Sequence, residues 1–139
     1  MVTTTPSHAS HHSVYFDGAS KSNPGEGGCG AVIYDKQEEV ASRSMYLGSN
    51  VTNNYAEYSG LVIGLQLALK ENIKCLNVYG DSMLVINQMK HVWKVKSPTL
   101  FELYSEAQQL AKCFDKITFI HVKRHFNKRA DELANDSLK

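Results

Sequence analysis

Four carboxylates of this 139-residue chain stand where regular elements begin or end. Asp17 closes the apolar run SVYFD, and Asp81 follows the apolar run CLNVYG. Glu57 is predicted in the first turn of a long helix, and Asp131 in the first turn of the last helix. If the first and fourth strands run parallel and adjacent, Asp17 and Asp81 emerge side by side. Glu57 shares a helix face with Leu61 and Leu65, at i+4 and i+8, so it leans toward the sheet. Carboxylates gathered at one sheet edge repel one another, and several stay protonated unless a cation joins them. Oxygen ligands without cysteine select Mg²⁺ or Mn²⁺ over zinc. Two such ions ~3.5–4 Å apart suit in-line cleavage of a phosphodiester. A competing account, an acid interacting with a helix N-terminal dipole, fits Glu57 or Asp131 taken singly. It does not explain the two strand-end acids.

The elements that must position these acids follow from periodicity and turn chemistry. Ser13 to Asp17 is a short β-branched and aromatic strand, followed by the turn-rich loop SKSNPGEGG. CGAVIYD and VASRSMYL are the second and third strands, joined at Lys36–Glu38 in an antiparallel meander. Asn53 or Asn54 can cap a helix opening near Tyr55. Tyr58, Leu61, Val62, Leu65 and Leu69 recur at helical spacing, and Asn72 closes it. CLNVYG is the fourth strand, SMLVINQMK a short helix, and Trp93 lies in a connector before a helix that follows Pro98. ITFIHV is the fifth strand, and the last helix spans about Lys128 to Leu138. Three meander strands followed by alternating helices and strands predict an α/β fold, one mixed sheet flanked by helices. The run GEGGCG spells a dinucleotide fingerprint, but a strand follows it where that site needs a helix N-terminus.

Composition sets the class. The chain is 42% hydrophobic and 21% charged, as for one globular domain, read here as residues 13–139 behind a flexible tail of residues 1–12. His8, His11 and His12 in that tail suit only adventitious metal capture. The net charge of +1 says nothing of nucleic acid, yet Lys90, His91, Lys94 and Lys96 cluster around Trp93. A solvated face explains such a cluster equally well. Cys29, Cys75 and Cys113 form no CxxC pair, so they read as reduced thiols of an intracellular, cytoplasmic protein. The longest apolar stretch, Gly60 to Leu69, is too short to span a bilayer, so no membrane partner is expected.

The segments YFDGASKSNPGEGGCGAVI, TNNYAEYSGL, VYGDSMLVINQ and VKRHFNKRADELAN together resemble the type 1 ribonuclease H family, from about Ser13 to Leu138. The resemblance implies a five-stranded mixed sheet in the order 3-2-1-4-5. It implies an endonuclease that hydrolyses the RNA strand of RNA/DNA hybrids, leaving 3′-hydroxyl and 5′-phosphate ends. Asp17, Glu57, Asp81 and Asp131 match the family's metal ligands for two Mg²⁺ ions, with Mn²⁺ able to substitute and Asp17 as the bridge. His125 occupies the place of a histidine that shuttles a proton or eases product departure; an ordinary surface-loop histidine is the competing account. Asn23, Asn53 and Asn54 match minor-groove contacts, where an amide can bond a ribose 2′-hydroxyl. Asn23 also suits a turn, and Asn54 a cap. Thr52 matches a grip on a DNA-strand phosphate, and Met83 an RNA-side contact. Trp93, with Lys94 and Lys96, either packs on a sugar or docks the connector on the core. The expected form is a monomer whose partner is the hybrid, without the extra basic helix or hybrid-binding module of some relatives. The alternatives are a nuclease domain of a reverse transcriptase or retroelement, a non-catalytic hybrid-binding homologue, and a DNA-strand transferase of the same broad fold.

Overall fold

Alternation along the first strand decides how the sheet is clothed. In the computed structural model, which describes residues 12–139, β1 (His12–Ser20) buries Val14 and Phe16 in the larger core cluster. Tyr15 packs with the smaller cluster instead. β2 (Gly25–Asp35) and β3 (Glu38–Val51) complete an antiparallel meander with β1. β4 (Cys75–Gly80) lies parallel to β1, and β5 (Lys116–His121) parallel to β4. The sheet order is β3-β2-β1-β4-β5, the order implied by the resemblance.

Helix α1 (Asn53–Lys70) is buried along most of its length because the sheet lies on one side and α3 (Pro98–Ala111) packs against it as well. Leu61, Leu65 and Ala68 meet Val14, Phe16, Ile33 and Val78 in the main core, which also takes in Ile86 of α2 (Met83–Met89). The opposite face of the sheet is covered by α4 (Lys128–Asp136), where Ala130 and Leu133 pack with Val32, Tyr15 and Tyr34. Among the described residues no helix is long and apolar enough to cross a membrane.

Several boundaries differ from the sequence reading, each for a physical reason. His12, assigned to the tail, is the first residue of β1, and residues 1–11 lie outside the described residues. β2 starts at Gly25, inside the stretch read as a turn. Two of its glycines, Gly28 and Gly30, serve the docking of α4: a Cβ on Gly30 would stand 2.5 Å from Leu133 Cβ and 2.7 Å from the Ala134 nitrogen. The cap of α1 is Thr52, whose Oγ1 accepts the Tyr55 N–H at 3.2 Å, so Asn53 and Asn54 are helical residues and not caps. Asn23 adds a second closure there, its Oδ1 accepting the Asn53 N–H at 3.0 Å. A single 3₁₀ turn, Arg124–Phe126, precedes α4 and was not foreseen.

α1 lies unusually close to β1 at Gly60, where a Cβ would sit 2.5 Å from the Asp17 carbonyl oxygen. Alanine at this helix-interior position would gain ~1 kcal/mol of helix propensity. It would also force one backbone away from another, and overpacking of that kind costs ~1–3 kcal/mol. Gly60→Ala is therefore expected to lower the urea midpoint of unfolding. An unchanged or higher midpoint would show that α1 can lift from β1 freely.

Candidate active site

Phe16–Gly80 is the last pair of the parallel β1–β4 ladder, so Asp17 and Asp81 stand side by side where that ladder stops. Asp17, expected to close β1, lies within it, because pairing with β2 carries the strand on to Ser20. Asp17 is only 4% exposed, and its Oδ1 accepts the Gly18 N–H at 2.9 Å. Glu57 lies beyond the first turn of α1, which holds no acid. The dipole account therefore fails for it, since that effect fades within the first turn. Its carboxyl is aimed at the strand ends: oxygen atoms of Asp17, Glu57 and Asp81 all lie within 4.8 Å of one another. Asp131 does stand in the first turn of α4, as expected, and is exposed. It is not one of the close three, though its carboxyl interacts with that of Asp17. Asn135 Nδ2 steadies it, donating to Asp131 Oδ1 at 3.2 Å.

The electrostatics follow from this crowding. Burial, reinforced by the charge of Asp81, pushes the Asp17 carboxyl from 3.8 up to about 7. Burial and the neighbouring Asp17 hold Glu57 well above its ordinary range, with Arg124 opposing weakly. Glu57 Oε1 is fully enclosed and has no hydrogen-bond partner. An orphaned carboxylate oxygen, two acids that retain protons and an all-oxygen donor set fit a hard divalent cation. The cluster contains no cysteine or histidine ligand to favour zinc.

Asn127 belongs to this site and was missed in the sequence. It is 1% exposed, and its Nδ2 donates to the Phe16 carbonyl at 2.9 Å and to Asp81 Oδ2 at 3.2 Å. Its Oδ1 is buried without a partner. An asparagine just before a helix reads as a cap, yet here the side chain makes no cap bond. The forgone cap costs ~1 kcal/mol. The orphaned acceptor costs a further ~1–3 kcal/mol.

The other expected residues are not among the three close acids. His125 is exposed in the 3₁₀ turn, its ring 4.1 Å from that of Phe126, and it lines a cleft with Tyr15 and Tyr34. His121 Nε2 lies 3.3 Å from the Asp81 carbonyl oxygen. Met83 opens α2, two residues beyond Asp81, and is half exposed. Asn23, Thr52 and Asn54 line a groove at the start of α1 together with Asn50, Ser97 and Thr99. Asn53 is exposed beside them. Trp93 is 44% exposed, and its connector is tied by backbone and amide bonds. The Val92 and Trp93 N–H groups donate to the Asn87 carbonyl, and Gln88 Nε2 donates to that of Lys94.

The raised carboxyls make stability depend on pH in a defined direction. The folded chain keeps protons that the unfolded chain has released between about pH 4 and about pH 7. Their stabilising contribution is complete below that interval and is lost as pH rises through it. In chelator, the melting temperature of the wild type should therefore fall relative to that of Asp17→Asn as pH climbs from 4 to 7. A divalent cation should reverse the loss at neutral pH. Parallel melting curves for the two proteins would contradict this.

A family profile described as "Reverse transcriptase-like" matches residues 15–137. The bifunctional protein Rv2228c of Mycobacterium tuberculosis is 44% identical over 124 residues, covering 88% of this chain and 34% of that protein. The chain thus spans about a third of the length of the first curated relatives it matches. The solved N-terminal RNase H domain of Rv2228c has a TM-score of 0.89 at 42% identity, covering 94% of both chains. A ribonuclease H of Acetivibrio thermocellus is 33% identical and is covered over 94% of its length, against 91% of this chain. LC11-RNase H1, solved in complex with an RNA/DNA hybrid, has a TM-score of 0.85 at 36% identity, covering 91% of this chain and 95% of that one. With the sheet order, the carboxylates at its edge and these likenesses in agreement, the chain belongs to the type 1 ribonuclease H family.

Proposed function

We propose that residues 13–139 form a catalytic domain that hydrolyses the RNA strand of RNA/DNA hybrids, leaving 5′-phosphate and 3′-hydroxyl ends. The observation that carries this reading is the carboxylate cluster of Asp17, Glu57 and Asp81 where the parallel β1–β4 ladder ends. Asp17, Glu57, Asp81 and Asp131 would hold two Mg²⁺ ions, replaceable by Mn²⁺, which when bound would supply charge to activate water and offset the leaving oxygen. Asp17, which interacts with all three of the other acids, would be the ligand central to holding them.

The chain's own groups bind and orient the substrate. Asn23 Oδ1 is engaged by the Asn53 N–H, which leaves its amide hydrogens to donate outward. The Asn53 and Asn54 side chains stand exposed next to it, a cluster of neutral donors suited to ribose hydroxyls. The Thr52 hydroxyl accepts from Tyr55 N–H, so its own hydrogen can be given to a phosphate oxygen. Met83 and Trp93 present exposed apolar surface to sugars, with Lys94 and Lys96 near phosphates. His125, exposed and held by Phe126, is free to carry a proton or ease product departure. The domain acts as a monomer in a reducing, cytoplasmic compartment, in accord with a sequence that holds no CxxC pair. A relative solved with a hybrid bound supports the substrate class. A place within a larger reverse transcriptase or retroelement protein leaves this chemistry unchanged.

Labelled RNA/DNA hybrid, dsRNA and dsDNA incubated with Mg²⁺, Mn²⁺ or EDTA test the proposal. Hybrid RNA should be cut in either metal and not in EDTA, dsRNA poorly and dsDNA not at all; comparable dsDNA cleavage would sink it. Among variants, Asp17→Asn should fall below about a hundredth of wild-type rate, each ~1.4 kcal/mol of lost transition-state stabilisation being tenfold. Asp131→Asn should be more damaging than His125→Ala. A shuttle that water partly replaces contributes ~10²-fold or less, so His125→Ala should keep measurable cleavage. Single-turnover rates equal to wild type in His125→Ala would favour the surface-loop account of that residue.

A further inference from the structure

We infer that Asn127 is a positioning residue that ties three of the four site acids together, an inference that rests on the proposed metal-dependent reading of the site. Three bonds from this one residue reach the site. Its Nδ2 donates to Asp81 Oδ2 at 3.2 Å and to the Phe16 carbonyl, the peptide oxygen just before Asp17, at 2.9 Å. Its own carbonyl accepts the Asp131 N–H at 3.1 Å. The end of β1, the Asp81 carboxylate and the first turn of α4 therefore share a single anchor.

The chemistry of the side chain fits this task and little else. An apolar residue would fill the space without orphaning Oδ1, but would leave Asp81 free to swing. A lysine or arginine would hold Asp81 while neutralising it, and so would compete with a bound cation. A neutral amide donates twice and adds no charge. By fixing Oδ2 of Asp81, Asn127 leaves the other carboxylate oxygen directed by its rotamer and not by the repulsion of Asp17. The helix cap that an asparagine ordinarily makes at this position is given up for these contacts.

The test uses Asn127→Ala and Asn127→Ser in the full chain, the serine retaining a single donor. Mn²⁺ affinity is read without substrate by electron paramagnetic resonance, and hybrid cleavage is followed across a metal titration. Loss of a group that orients a metal ligand typically weakens metal affinity ~10–100-fold. Asn127→Ala should show a loss of that size and Asn127→Ser a smaller one. Excess metal should bring cleavage back toward wild type, and hybrid binding in EDTA should stay unchanged. In an Asp81→Asn background the further loss on removing Asn127 should shrink, because the two residues act as a unit. Unchanged Mn²⁺ affinity beside a lowered melting temperature would overturn the inference and leave a purely structural asparagine. Fully additive losses with Asp81→Asn would overturn it too. If the alanine variant does not fold, the serine variant and its cycle carry the same decision. Should wild type bind Mn²⁺, lose it on Asn127 substitution and yet fail to cut hybrid, the substrate reading falls and the positioning role stands.

Discussion

Carboxylate oxygens held within 4.8 Å at a sheet edge, one of their residues almost wholly buried, repel across a medium that screens poorly. Left to themselves the side chains would turn outward, and nothing in the local sequence stops them. What stops them is packing on both sides of β1. Gly60 lets the α1 backbone lie against the Asp17 carbonyl, which brings Glu57 over the strand ends. On the opposite face, Gly30 lets α4 settle on β2, which carries Asp131 and Asn127 to the same edge. The two large helix–sheet interfaces thus hold together a cluster that opposes them, as when a fold compensates strain at a functional site elsewhere.

That dependence explains which parts of the site could be read from the residues. Asp17 and Asp81 were visible because each follows a short apolar run that reads as a strand, and parallel pairing of those strands brings them together, although β1 in fact runs on to Ser20. Glu57 was legible from its i+4 and i+8 relation to Leu61 and Leu65, which are themselves 1% and 0% exposed. Placing it in the first turn was an error of cap assignment. Thr52, not Asn53 or Asn54, closes the helix, because Asn23 from a distant loop takes up the Asn53 N–H. Propensity could not foresee a partner thirty positions away.

The two larger misses share one cause. Gly25 to Gly30 carry strong turn propensity, and only the docking of α4 reveals why glycine is wanted at Gly28 and Gly30 inside a strand. Asn127 carries strong cap propensity, and only the position of β1 and β4 reveals that its amide turns inward. Each residue has a good local explanation that tertiary contact overrides. Local propensity and fold part company at these positions, and such departures concentrate where a protein has a task beyond folding.

Helix α1 joins two parts of the proposed task that the sequence presents separately. Thr52 and Asn54 line the groove at its start, and Glu57 stands at the acid cluster. Five residues of helix separate Thr52 from Glu57, which is ~7.5 Å along the axis. A helix is a stiff spacer over that distance, so in the proposed function a phosphate gripped at its first turn and a bond cut beside Glu57 would be held in fixed register. The register is set by how α1 sits on β1, and therefore by Gly60 against the Asp17 carbonyl. Asn23 fastens the same helix end from the loop, and Asn127 fastens β1 from below through Phe16. In the proposed function, reading and cutting would thereby be coupled through backbone contacts near Asp17, and a change that lifts α1 from β1 would disturb both at once.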